Sequence, residues 1–152
     1  QLKIRVICHR AYHALFMQGK VAKTYLALAE FLLPPQTNRW IIENRIVRAE
    51  PRFKMKIVPG IVNARSTIRL LDARGNRGLF QLNPVTGKTH QLRLHLSNLG
   101  FRIVNDRVYP DLLAEQDDDF SKPLQLLAKQ VRFRDPVTGR GMEFASGREM
   151  PF

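Results

Sequence analysis

The chain is short of cysteine, of negative charge and of long apolar runs, and each shortage removes a class of protein. Its single cysteine, Cys8, cannot close an internal disulfide, which fits a reducing compartment and makes a cytoplasmic location the expectation. Cys8 reads as a small apolar packing residue and not as a reactive thiol. The longest apolar run, Tyr25 to Leu33, is broken by Glu30 and falls well short of the roughly 20 residues a membrane helix needs. No charged segment followed by an apolar stretch opens the chain, so a secretion signal has no support. An initiator Met is also lacking. Gln1-Leu2-Lys3-Ile4-Arg5-Val6-Ile7 alternates polar and apolar like a strand already under way, so the sequence is expected to be a piece of something longer.

What remains is a basic globular chain. Its 152 residues suit one domain, residues 1–152, and 44% hydrophobic residues can build a real core. Lys and Arg number 25 against 13 Asp and Glu, a net charge of +12. A globular domain this basic calls for a polyanionic partner, of which nucleic acid is the commonest. A ribosome-like structural protein or an anionic membrane surface would satisfy the same charge.

Periodicity sketches the elements. Leu2 to Ile7 predicts a first strand, and His9 to Gln18 a short helix stopped by Gly19. Lys23 to Phe31 is β-branched and aromatic enough for a buried strand, although its Ala-Leu alternation also suits a helix. Trp40 to Val47 and Arg52 to Val58 are further strands. Arg65 to Leu71 and Leu79 to Leu82 read as a hairpin across Gly75-Asn76-Arg77-Gly78. From Thr89, Leu92, Leu96 and Leu99 recur at helical spacing, and Gly100 closes the helix. Asp111 to Phe120 reads as an acidic solvated loop. Leu124 to Arg134 and Met142 to Ala145 form a closing hairpin across Asp135-Pro136-Val137-Thr138-Gly139. Many strands with few, non-alternating helices argue an α+β fold with a mixed, mostly antiparallel sheet.

The densest chemistry lies in Gly87-Lys88-Thr89-His90-Gln91-Leu92-Arg93-Leu94-His95. A phosphate loop is excluded, because the glycine required five positions before Gly87 is Leu82, so no nucleotide cofactor is expected. Zinc is disfavoured: His90 and His95 would point about 140° apart on a helix. His9 and His13 have helical i, i+4 spacing but no nearby cysteine or carboxylate to complete a site, so no metal is expected. Arg93 lies three residues after His90 and shares its direction, while Leu92 and Leu96 turn inward. An arginine on a core-anchored helix can clamp a phosphate or carboxylate with two parallel bonds, although an ordinary exposed arginine would look the same here. Tyr25, in Lys23-Thr24-Tyr25, suits either a core tyrosine or one that stacks on a base or moves a proton.

Taken in order, several segments carry a resemblance over essentially the whole chain. They are Lys23-Thr24-Tyr25-Leu26-Ala27-Leu28, Ala64-Arg65-Ser66-Thr67, the Gly87 to His95 block, Leu99-Gly100 through Ile103 with Asp106 and Tyr109, and Pro136-Val137-Thr138-Gly139 before Glu143-Phe144. Together they resemble the RluA-type family of RNA pseudouridine synthases. The resemblance implies the catalytic-domain fold of that family, present in part, and an enzyme that isomerises uridine to pseudouridine in ribosomal or transfer RNA. No metal or organic cofactor is implied, and a monomer is the default. The family uses a nucleophilic aspartate, a tyrosine packed against the base and an arginine paired with the aspartate. Tyr25 and Arg93 match the last two, and RNA contacts are expected from Lys23, Lys88, Thr89, His90 and Gln91.

The sequence departs from that pattern at one decisive place. The family's aspartate stands in a His-Arg-Leu-Asp stretch well upstream of the tyrosine strand. Here His9-Arg10 is followed by Ala11-Tyr12 and lies too close to Tyr25, so the aspartate is missing and the 152-residue chain is expected to bind RNA without turnover. Phe101-Arg102 and Asn105 replace the usual His-Pro and Gly, an exchange expected to spare the fold and alter RNA contacts. A non-catalytic basic RNA-binding module on the same scaffold is the alternative reading.

Overall fold

A computed structural model describes residues 2–114, 119 and 121–152, with side chains described from Arg10 onward. The first helix, α1, spans Leu2–Met17. The strand expected over Leu2 to Ile7 is therefore replaced by helix. Three apolar residues in alternation are too few to distinguish the two periods, and no glycine or proline interrupts residues 2–18, so the helical signal at His9 to Gln18 extends back through them. Tyr12 anchors α1: its hydroxyl donates to Asp135 Oδ1 at 3.0 Å, and its ring meets Phe133 edge-on at 6.1 Å.

The strands follow as β1 (Ala22–Glu30), β2 (Arg39–Arg48), β3 (Met55–Val58), β4 (Ala64–Arg74), β5 (Arg77–Pro84), β6 (Arg102–Ile103), β7 (Leu126–Arg134) and β8 (Gly141–Ala145), with helix α2 (Gln91–Asn98) between β5 and β6. They form an eight-stranded sheet in the order β3-β2-β4-β5-β1-β7-β8, with β6 pairing to β1. Every pairing among the described strands is antiparallel, and short connections join β2 to β3, β4 to β5 and β7 to β8. β3 begins later than the expected Arg52. The preceding residues form a turn in which Lys54 N donates to Pro51 O at 2.8 Å and Ala49 N to Lys54 O at 2.9 Å. The expected acidic loop lies outside the described residues at 115–118 and 120.

One face of the sheet carries the core. Ala27 and Ala29 of β1, Ile68 of β4 and Phe80 and Leu82 of β5 are fully buried, and Leu92 and Leu96 of α2 pack onto them. Small residues at Ala27 and Ala29 let the helix and the 101–109 segment approach β1 closely. Phe101 sits within 4.9 Å of Phe80 and 5.2 Å of Trp40, ring to ring. This position, where an RNA-facing change was expected, is thus a core aromatic at 6% exposure. The helix stops at Gly100, whose φ of 83° is a left-handed conformation that glycine adopts without strain.

Candidate active site

The pairing of β1 with β5 dictates where the site forms. Tyr25 stands opposite Leu82, and β5 runs on through Asn83-Pro84 into the turn that delivers α2. The tyrosine strand and the donor-rich block are thereby brought to one end of the sheet. A register shift between Thr24 and Tyr25 in the β1–β7 pairing marks the same spot, a bulge of the kind that re-aims a side chain. Between these elements lies a cleft of about 310 Å3 lined by Lys23, Tyr25, Lys88, His90 and Arg93, with Leu92 and Leu126 as apolar walls.

Gln91 holds the cleft's rim in shape. It is 3% exposed, and its amide is fully engaged. Nε2 donates to Ser66 Oγ at 2.9 Å and to Arg65 O at 3.0 Å, while Oε1 accepts from Lys88 N at 3.0 Å and from Thr86 Oγ1 at 2.8 Å. One buried side chain therefore fastens the Pro84–Lys88 turn to β4. Lys88 and Thr89 ride on that turn with exposed side chains, and Lys88 reaches the cleft whereas Thr89 lies outside its lining. The Lys23 ammonium lies beside Gly87, 3.6 Å from where a Cβ would stand there.

Arg93 does not project freely. Its Nε donates to Asp106 Oδ2 at 2.8 Å and its Nη2 to Asp106 Oδ1 at 2.6 Å, the two-bond geometry of a guanidinium clamped on a carboxylate. Asp106 is 2% exposed, and its Oδ1 also accepts the Val108 and Tyr109 amides at 2.9 and 3.0 Å. Burial pushes the Asp106 carboxyl up, but the Arg93 bonds and charge, with the two amides, outweigh it and hold the group below the usual carboxylate range. The pair is ionised at neutral pH and presents Arg93 in one orientation. The guanidinium also lies 5.1 Å from the centre of the Tyr109 ring.

Tyr109 extends the network to His90. Its hydroxyl accepts from Met55 N at 2.8 Å and lies 3.0 Å from His90 Nδ1. Burial, then the charge of Arg93, lower the His90 imidazole below its usual value against a smaller pull from Asp106, so the ring is neutral at pH 7. His90 itself adopts a left-handed φ of 54° at the start of α2. His95 is turned the other way and is 0% exposed, with Nε2 3.1 Å from Asn44 Oδ1. The two histidines thus belong to different environments.

Asp106 and Tyr109 were legible as part of the resemblance but carried no assigned role, because their contact with Arg93 depends on the chain folding back after β6. Asn105, with a left-handed φ of 63°, makes that return; asparagine tolerates this conformation better than most residues, which explains why it can stand where glycine is usual. Among the described residues no carboxylate lines the cleft, and the first acidic residue in the sequence is Glu30. Arg93 also borders a larger hollow of about 720 Å3, whose rim includes Arg77, Arg102 and Lys122.

Known proteins resemble the chain in sequence and in fold. The chain is 38% identical over 104 residues to an uncharacterized RNA pseudouridine synthase of Helicobacter pylori, covering 63% of this chain and 34% of that protein. It is 41% identical over 94 residues to the dual-specificity RNA pseudouridine synthase RluA of Haemophilus influenzae, covering 62% and 42%. The chain thus spans about a third to two fifths of the length of these relatives. Among solved structures, human RNA pseudouridylate synthase domain containing 1 superposes with a TM-score of 0.70 at 27% identity, covering 91% of this chain and 58% of that one. The pattern of the RNA pseudouridylate synthase family matches residues 6–98, which include β1, the β4–β5 hairpin and α2. The chain belongs to the RNA pseudouridylate synthase family.

Proposed function

We propose that the chain is the larger, C-terminal part of an RluA-type catalytic domain, whose intact protein isomerises uridine to pseudouridine in ribosomal or transfer RNA. The observation that carries this reading is the convergence of Tyr25 and an Asp106-anchored Arg93 on one cleft. The reaction breaks the N1–C1′ glycosidic bond and joins C5 of the same base to C1′. C5 gives up a proton and N1 gains one, so composition is unchanged and no oxidant or cofactor is consumed. Tyr25 would pack against the base and accept the C5 proton. Arg93 would orient the carboxylate nucleophile through the guanidinium edge that Asp106 leaves unused. Lys23, Lys88, Thr89 and His90 would hold the neighbouring backbone, with Gln91 shaping the turn that carries them. The target nucleotide must leave its stack to enter such a cleft, and basic surface around it retains the strand.

A second reading, a non-catalytic basic RNA-binding module on the same scaffold, is favoured by a cleft that no carboxylate lines among the described residues. Tritium release from RNA labelled at uridine C5 tests both. The intact gene product is expected to release tritium and the 152-residue chain to bind the RNA without release. Release by the 152-residue chain alone overturns the assignment of a missing nucleophile. No release by an intact protein that carries a His-Arg-Leu-Asp stretch overturns the enzyme.

A further inference from the structure

The sheet has a second face whose charges are not balanced. Alternation along β4 and β5 sends Ile68, Phe80 and Leu82 toward α2 and leaves Thr67, Arg69, Gln81 and Asn83 on the opposite side. Pairing sets Arg39 of β2 directly across from Arg69, and Arg69 across from Gln81. With Asn38, these residues line a depression of about 490 Å3 to which, among the described residues, neither an acidic nor a large apolar side chain contributes.

Two arginines directly opposed on antiparallel strands repel and weaken the sheet locally. Four other strand arginines are each compensated by a carboxylate. Arg65 meets Glu43 at 3.5 Å, Arg74 meets Asp72 at 3.3 Å, Arg77 meets Glu30 at 2.9 Å and Arg132 meets Glu143 at 3.0 Å. Among the described residues, the Arg39 and Arg69 guanidinium groups have no such partner.

We infer that Arg39 and Arg69 form a phosphate-binding subsite, on the sheet face opposite the Tyr25 cleft, that holds the sugar-phosphate backbone of the bound RNA. The inference rests on the RNA reading above and adds a contact remote from the chemistry. A phosphodiester between the two guanidinium groups relieves their repulsion and accepts paired bonds from either. The floor beneath is already fixed: Gln81 Nε2 donates to Asn83 Oδ1 at 2.9 Å, and Asn83 Nδ2 to Thr24 Oγ1 at 3.0 Å. A polar, base-free lining suits a backbone contact, which positions a nucleic acid without reading its sequence.

The test measures the affinity of the protein for a uridine-containing stem-loop RNA across a salt series. Arg39→Gln with Arg69→Gln is compared with Arg74→Gln and Arg140→Gln, which removes equal charge from the end of β4 and from the β7–β8 turn. The site pair is expected to lose about tenfold in affinity and about one unit of the log–log salt slope per phosphate released, for every RNA sequence tried. The turn pair is expected to lose markedly less. No binding by the unaltered protein would end the RNA reading itself. Binding with equal losses in both pairs, or with none in the site pair, overturns only the subsite. So does a site-pair effect confined to inorganic phosphate or to polyglutamate, which would assign the depression to a free anion or an acidic protein segment.

Discussion

Replacing Arg93 by lysine keeps the charge and removes the geometry, and the structure sets how much each should matter. Asp106 Oδ1 has three partners, so it survives the exchange with the Val108 and Tyr109 amides in place. Oδ2 has only Arg93 Nε among the described residues, and a lysine ammonium can serve one carboxylate oxygen well but not both in parallel. The folding cost is therefore that of one charged hydrogen bond, about 1.5–3 kcal/mol. Arg93→Ala leaves Asp106 buried and uncompensated, which raises the cost to about 3–5 kcal/mol. Turnover by the intact enzyme should respond differently. A reacting group displaced by roughly 1 Å costs about 100-fold, so Arg93→Lys should lose at least that much while most of the protein remains folded. Asp106→Asn should produce a similar loss although Asp106 faces away from the cleft, because the amide presents a donor to a guanidinium that needs an acceptor. Urea denaturation gives the stability of each variant, and tritium release at a temperature where all are folded gives turnover. Near-normal turnover in Arg93→Lys removes Arg93 from the chemistry. A loss in Asp106→Asn that scales only with unfolding removes Asp106 as a positioning residue.

Two further outcomes concern buried polar groups. The imidazole of His95, pushed by burial from 6.5 to about 4, binds its proton more readily in the unfolded chain, so stability should be full above pH 6.5 and fall by about 3 kcal/mol as pH drops toward 4; urea titrations at both ends check this, and an unchanged pH dependence in His95→Gln would assign the effect elsewhere. Gln91→Ala strips partners from Ser66, Arg65 and Lys88 at once, so it should destabilise by roughly 2–4 kcal/mol and weaken RNA binding; a variant that binds normally at low temperature would show that the turn holds its shape without the amide.

Much of the fold was legible because strand and helix periods are local. The β4–β5 hairpin follows from alternation on both sides of Gly75-Asn76, and α2 from Leu92, Leu96 and Leu99 ahead of Gly100. Leu2 to Ile7 misled because so short an alternation is compatible with either period, and what continues it decides. The site was half legible for a different reason. Tyr25 and Arg93 are set by local pattern and resemblance, but the Arg93–Asp106 clamp needs β6 and Asn105 to turn the chain back, and the Arg39–Arg69 opposition needs the register of two strands. Neither is written in any window of sequence short enough to show a period.

That clamp also changes what Arg93 can contribute. An arginine with no other partner would depress the pKa of a nucleophilic carboxylate chiefly by its charge. Arg93 is already neutralised, at 2.6 and 2.8 Å, by a buried carboxylate held ionised. A second carboxylate approaching it would meet a pair of zero net charge, so the Coulombic gain is reduced by the more distant Asp106 and the directional gain remains. The guanidinium is planar and fixed through two of its nitrogens, so its remaining edge points one way without further ordering. In the proposed enzyme Arg93 therefore serves as an aiming device more than as a counter-ion, and Asp106 is what aims it. This is why charge-preserving substitution at position 93 is predicted to be so costly to turnover.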